Sequence, residues 1–120
     1  MELKEILKAH HKWLETNGKE GERADLRNAI LQEADLHDTN LQSADMQNAK
    51  LSVADLMGTN LRLANLRGAD LWMADMKGAI LQGAELHGAN LSEATNLTQE
   101  QVDSAITDEK THLPAALKRG

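Results

Sequence analysis

The sequence predicts an all-β solenoid, a chain wound into stacked coils. From Ala24 to Glu93, a small residue followed two positions later by Leu or Met recurs every five residues, through fourteen consecutive units. A period of five does not fit an amphipathic helix, on which successive leucines would spiral around the axis. It does not fit a flat strand either, because every second leucine would lie on the opposite face. A chain that bends once per unit keeps all of these side chains in one interior.

The central Leu or Met of each unit forms the predicted core, because each unit buries it only against the units above and below. The core residues are Leu26, Leu31, Leu36, Leu41, Met46, Leu51, Leu56, Leu61, Leu66, Leu71, Met76, Leu81, Leu86 and Leu91. The residue two positions earlier is Ala in every unit except at Thr39 and Thr59. This restriction indicates that a larger side chain would collide with the neighbouring coil.

The units, such as Ala-Asp-Leu at 54–56, resemble those of the pentapeptide repeat family, whose pattern is A(D/N)LXX. The resemblance covers 70 of the 120 residues, with all fourteen units in register. It implies a right-handed quadrilateral parallel β-helix with four units per coil, and therefore about three and a half coils. The sequence itself contains a twenty-residue interval, because Thr-Asn-Leu at 39–41 returns at 59–61.

Residues 1–23 are predicted to form an N-terminal helical cap and a linker. Apolar or aromatic residues at helical spacing predict an amphipathic helix over 2–16, and they are Leu3, Ile6, Leu7, His10, Trp13 and Leu14. We expect this helix to cover the open end of the solenoid, where strand edges would otherwise be unpaired. The alternative is a membrane-surface anchor, but residues 1–23 contain five acids and five bases, whereas such anchors are usually basic.

Residues 94–120 are predicted to form a C-terminal cap and tail within the same single domain, 1–120. The repeat register ends at Asn96, which stands where the next Leu would be. Thr98 and Gln101 then have the spacing of a capping box, which predicts a short helix. Residues 107–120 are expected either to fold back on this helix or to fray.

Composition limits the classes of function. The chain has no Cys, no apolar run of transmembrane length and no signal-peptide core in residues 1–21, so we expect an unexported cytoplasmic protein without membrane association. Its net charge is −6, of which 24–93 carries −5. This acidity argues against direct nucleic-acid binding and leaves basic partners open.

The residues that could act as catalytic acids, bases or nucleophiles are not grouped as catalysis requires. His10 and His11 point about 100° apart on a helix, and His37 and His87 fall on opposite sides of a four-sided coil. The serines lack the context of an activated nucleophile, and glycines recur at the last position of a unit, where the chain turns. We therefore predict a protein that is not an enzyme and has no cofactor and no metal site.

Aspartates at 35, 55 and 75 share the twenty-residue interval and would stack about 4.8 Å apart. One interpretation is a bound cation, since like charges at that distance repel. We favour the other interpretation, in which Asp and Asn before each Leu bond to local backbone at the bends.

The candidate site consists of outward-facing positions that hold apolar residues, where most units have polar or charged ones. On a four-sided coil, Val53 and Met73 stack at one corner, Trp72 lies beside that corner on one wall, and Met57 lies on the next wall. Clustered exposed apolar residues that include Trp are typical of protein-binding patches. We predict a protein-contact patch at these four residues; the alternative is that a cap or loop covers them, or that the cluster is incidental.

The predicted function is a non-catalytic protein-interaction or scaffold module with an unknown protein partner, present as a monomer or weak homodimer. The resemblance supplies an alternative, because some pentapeptide repeat proteins mimic duplex DNA and modulate type II topoisomerases such as gyrase. A stack of about 17 Å matches only about five base pairs, so one subunit is a short mimic unless two join end to end.

Overall fold

The computed structural model describes residues 2–119, so the end residues of the predicted domain, 1 and 120, lie outside it. It contains two helices, α1 (Leu3–Glu15) and α2 (Gln99–Ser104). Neither has the length and apolar character needed to cross a lipid bilayer. The chain between them forms no long strands and is instead joined by single-residue parallel β-bridges.

Within 25–95 the bridges join residues twenty positions apart, as in the series Asp25, Asp45, Asn65 and Glu85. Successive bridging residues lie five apart along the chain, so each twenty-residue coil contributes to four separate ladders. We name the four resulting walls by their units. Wall 1 contains 24–28, 44–48, 64–68 and 84–88; wall 2 contains 29–33, 49–53, 69–73 and 89–93; wall 3 contains 34–38, 54–58 and 74–78; wall 4 contains 39–43, 59–63 and 79–83.

The interior is lined by the central Leu or Met of every unit, as the spacing predicts. All fourteen side chains are buried, and the most exposed of them, Leu31, retains only 8% of its surface. The small residues beside them are also buried in the central coils. Where Thr59 replaces alanine, its hydroxyl donates a hydrogen bond to the Leu36 carbonyl at 2.7 Å, so the buried oxygen is satisfied.

Local chemistry at the second residue of each unit stabilises the bends. All ten units with Asp or Asn at this position use Oδ1 to accept a hydrogen bond from the backbone N–H two residues later. Examples are Asp70 to Trp72, at 3.1 Å, and Asn90 to Ser92, at 2.9 Å. The interpretation of these residues as local backbone acceptors is therefore confirmed.

The fifth residue of each unit turns the chain at a corner. All fourteen adopt a positive φ of 55° to 70°, and five of them are glycines, which have no Cβ to clash in this conformation. The others include Val53, Leu63 and Met73. A left-handed conformation is uncommon for such residues, and most of all for β-branched valine.

Helix α1 packs on the first coils through Leu3, Ile6 and Leu7, which contact the core. His10 is fully buried between the helix and the repeats. Its Nδ1 accepts a hydrogen bond from the Ala24 N–H at 2.9 Å, and its Nε2 lies 2.9 Å from the Gln42 carbonyl. Since an accepting Nδ1 carries no proton, Nε2 is the protonated donor and the ring is neutral.

The ladder continues beyond the last regular unit. Helix α2 begins with the predicted capping box between Thr98 and Gln101, and the chain then returns to the stack at two bridges, Glu85 with Ile106 and Asn90 with His112. The Thr111 hydroxyl donates to the Leu86 carbonyl at 2.8 Å, as Thr59 does to Leu36. Residues 111–112 therefore lie in the ladder. Beyond them the chain folds back on α2 as expected, since Gln99 Nε2 donates to the Lys118 carbonyl at 2.7 Å and the Lys118 N–H donates to Gln99 Oε1 at 3.0 Å.

Candidate functional site

The four residues of the predicted patch lie at the corner between walls 2 and 3, which we call the apolar corner (Val53, Met57, Trp72, Met73). Their exposed fractions are 45%, 37%, 43% and 41%, respectively. Val53 and Trp72 are in adjacent coils, because the Val53 N–H donates to the Trp72 carbonyl at 2.8 Å. This bond holds the Val53 backbone in the stack, and all four residues present surface to solvent. Their role in protein contact stays a prediction.

The backbone at this corner is strained. Val53 and Met73 have φ values of 60° and 58°, in the left-handed region that costs L-residues about 1–2 kcal/mol. Glycine would remove this cost, and it occupies the equivalent position in five other units. Nine of the fourteen corners hold a residue other than glycine in this conformation, so the strain is a property of the repeat and does not by itself mark this corner as a site.

Other exposed apolar residues were not singled out by the sequence. Ile30, Leu63 and Ile106 expose 75%, 59% and 47% of their surface. Leu63 occupies the opposite corner, between walls 4 and 1, and a Cβ built on Gly83 would lie 2.7 Å from its Cδ2. Leu63 therefore covers the glycine of the next coil, which gives its side chain a role within the stack.

Charge is divided unequally between the walls. Within 24–93, walls 2 and 3 carry seven acids (Glu33, Asp35, Asp38, Asp55, Asp70, Asp75 and Glu93) and two bases (Lys50 and Lys77). Walls 1 and 4 carry three acids (Asp25, Asp45 and Glu85) and three bases (Arg27, Arg62 and Arg67). We call walls 2 and 3 the acidic half and walls 1 and 4 the neutral half. The whole −5 charge of the repeats thus lies on the half that contains the apolar corner.

Each acid of the neutral half pairs with an arginine. Asp25 pairs with Arg27 at 2.8 Å, Glu85 pairs with Arg67 at 2.8 Å, and Asp45 lies 3.8 Å from Arg23. The hydrogen-bonded Arg27 guanidinium lowers the pKa of the Asp25 carboxyl to about 2. The neutral half therefore presents little uncompensated charge.

On the acidic half, His37 lies among the carboxylates. Its Nδ1 pairs with Asp35 Oδ1 and lies 3.9 Å from Asp55 Oδ2. The hydrogen bond with Asp35 raises the pKa of His37 and lowers the pKa of the Asp35 carboxyl. These three side chains are the ones among residues 2–119 whose ligand atoms come close enough to share a metal ion. Because the imidazole nitrogen already pairs with a carboxylate and the group faces solvent, we assign no metal to it.

Comparison with known proteins identifies the repeat. A family model described as pentapeptide repeats matches residues 22–58 and 59–99, in eight copies. Searching curated proteins gives no match.

Several solved structures are similar to this chain. Rfr23, a pentapeptide repeat protein from the cyanobacterium Cyanothece 51142, is 33% identical over 80% of this chain and 68% of its own, with a TM-score of 0.46. HetL, from Nostoc sp. strain PCC 7120, is 32% identical over 76% of this chain and 43% of its own, with a TM-score of 0.48. HetL is involved in the regulation of heterocyst differentiation. Another pentapeptide repeat protein from Nostoc PCC 7120 is 26% identical over 92% of this chain and 86% of its own, with a TM-score of 0.45.

Proposed function

We propose that this chain, which belongs to the pentapeptide repeat family, is a non-catalytic protein-interaction module whose contact surface is the apolar corner. The observation that carries the proposal is the exposed apolar cluster itself, with Trp72 and Met57 beside two strained corner residues, Val53 and Met73. Trp and Met are enriched in protein interfaces, where a few buried anchors supply most of the affinity.

The frame beneath this corner supports a binding role because it holds the side chains in place. The Val53 and Met73 N–H groups donate to carbonyls of the following coil, at 2.8 and 3.2 Å. The buried core residues Leu51, Leu56 and Leu71 lie directly behind the corner units. A preformed surface loses little conformational freedom on binding, so more of the contact energy appears as affinity.

The architecture that we propose is a right-handed quadrilateral stack of about three and a half coils within one domain, with α1 and α2 as its two caps. The twenty-residue bridge register supports four units per coil. The contacts of α1 with the core support its capping role, as does His10, which bonds to both Ala24 and Gln42. At the other end, Gln101 of α2 donates to the Met76 and Ala79 carbonyls, each at 2.8 Å.

Replacing Trp72 and Met73 together with serine is expected to weaken partner binding by about a hundredfold or more, because two interface anchors are lost. The measurement is recovery of partners by the tagged full chain from its native cell, together with sedimentation to follow self-association. Leu63→Ser is the matched control, since Leu63 is also an exposed corner residue with a positive φ.

The control variant should recover the same partners as the wild type. If the double variant recovers them equally well and sediments unchanged, the apolar corner is not the contact surface. Circular dichroism spectra should be the same for all three proteins, so that a loss of binding is not a loss of fold.

The DNA-mimic alternative has less support. Duplex DNA carries phosphates around its whole circumference, whereas the repeat charge of this chain lies on two of four walls. Under our proposal the protein leaves gyrase supercoiling unchanged. A cytoplasmic location and a monomer or weak homodimer remain part of the proposal.

A further inference from the structure

We infer that the segment bound at the apolar corner is basic as well as apolar, a stretch of another protein with a large apolar anchor flanked by Lys or Arg. This inference rests on the proposed function and specifies the chemistry of its partner. It is drawn from the position of carboxylates around the corner, from the small number of internal ion pairs that they form, and from the charge of the possible occupants.

Carboxylates border the apolar corner along the stack and on both of its walls, where they outnumber the two lysines, Lys50 and Lys77. Glu33 and Glu93 occupy the same corner position as Val53 and Met73, one coil before and one coil after them. Asp55 lies on wall 3, two residues before Met57. On wall 2, Asp70 stands two residues before Trp72. An anchor seated on the apolar residues would therefore place its neighbouring side chains among negative charges.

Most of these carboxylates lack a cationic partner within the part of the chain that the structure describes; the exception is Asp55, whose Oδ2 lies 3.9 Å from His37 Nδ1. Glu33, Asp70, Asp75 and Glu93 form no ion pair among residues 2–119, whereas every acid of the neutral half pairs with an arginine. Asp70 and Asp75 use Oδ1 to accept hydrogen bonds from the backbone N–H groups of Trp72 and Lys77, each at 3.1 Å. Uncompensated charge of one sign around an apolar centre attracts segments of the opposite sign and sets their orientation.

The other possible occupants fit this surface less well. An anionic lipid surface or a nucleic acid would meet the acidic half with like charge. A second copy joined by two-fold symmetry would place the same patch against itself, and so oppose its carboxylates to one another. A basic segment of a different protein is the occupant that complements both the apolar residues and the charge.

The turn chemistry of the repeat provides a clean way to remove the charge. Asn40, Asn60 and Asn90 make the same Oδ1 contacts as the aspartates do. An Asp→Asn change at this position therefore neutralises the side chain and keeps its hydrogen-bond acceptor. The test variant is Asp55→Asn with Asp70→Asn and Asp75→Asn. Its matched control on the neutral half is Asp25→Asn with Asp45→Asn and Glu85→Gln.

The probes are two fluorescently labelled synthetic peptides with the same central Trp-Leu segment, one flanked by lysines and the other by glutamates. Binding to the full chain is measured by fluorescence anisotropy at low and physiological salt. The lysine-flanked peptide should bind, and the test variant should weaken it by about tenfold and flatten its salt dependence, since three ion pairs are lost. The control triple variant and Leu63→Ser should bind this peptide like the wild type.

Equal binding of the two peptides, or unchanged binding by the test variant, overturns the inference. The inference is also overturned if Trp72→Ser with Met73→Ser changes self-association in sedimentation and leaves peptide binding unchanged, because the occupant is then a second copy.

The two proposals fail in distinguishable ways. If the native partner is lost with Trp72→Ser and Met73→Ser but kept by the test variant, the contact surface stands and the basic partner does not. If the corner variant still binds both its native partner and the lysine peptide, the contact surface itself is wrong.

Discussion

Replacing Leu51 with alanine is expected to lower the free energy of unfolding by about 2–5 kcal/mol. Leu51 is fully buried in the middle of the stack, where its side chain packs between coils that are held in register by backbone bonds. Those bonds fix the coil spacing, so the cavity left by the substitution can close only in part. Urea denaturation followed by circular dichroism measures the change.

The matched control for this prediction is Ile30→Ala. Ile30 is a residue of similar size that exposes 75% of its surface. Its truncation should change stability by no more than about 0.5 kcal/mol. Equal losses at the two positions would contradict the assignment of the central leucines to the core.

Replacing His10 with alanine is expected to cost about 2–4 kcal/mol, because it leaves the Ala24 N–H and the Gln42 carbonyl without their partner and opens a cavity under α1. His11 is the matched control, since it is the exposed neighbour on the same helix. Urea denaturation gives the stability change, and amide hydrogen exchange of residues 3–15 shows whether α1 detaches. Similar exchange rates in both variants would contradict the docking role of His10.

The same site predicts a dependence on pH. Burial lowers the pKa of His10 below its usual value, so the unfolded chain binds the extra proton more readily than the folded one. The His10 contribution is therefore complete above about pH 6.5 and is lost as the pH falls through the folded pKa. The pKa of His37 is raised, so its contribution to stability changes with pH in the opposite direction. The stability at different pH values should therefore be compared in a His37→Asn background. Stability that does not fall on acidification in that background would contradict the buried neutral ring.

Much of the fold could be predicted from the sequence because each position of the five-residue unit has one structural role. Alanine two residues before each leucine follows from close coil packing, and Asp or Asn before it follows from the turn acceptor that ten units use. The end of the ladder could not be predicted in the same way. The bridges of Ile106 and His112 are offset by 21 and 22 residues, so a search at a fixed period misses them. The sequence feature that indicates this return to the ladder is Thr-His-Leu at 111–113, which matches the Thr-Asn-Leu of 59–61 in its first and third residues.

The candidate site was predicted in part. Exposure of the apolar corner follows from the period and the four-sided register. The hydrogen bonds of His10 depend on where a separate helix docks, which the repeat does not specify. The unequal charge of the walls lies in the sequence, but it appears only when the outward residues are sorted at an interval of twenty.

The central claim is that residues twenty apart lie side by side, so that one corner gathers the apolar residues. The chain has no native cysteine, and so pairs of introduced cysteines report on proximity without background. Adjacent coils are about 4.8 Å apart, which lies within the Cα separation that a disulfide spans, about 4.4–6.8 Å. Under mild oxidation, Val53→Cys with Met73→Cys should form an intramolecular disulfide, whereas Val53→Cys with Leu63→Cys, across the stack, should not. A disulfide in the second pair and none in the first would contradict the account.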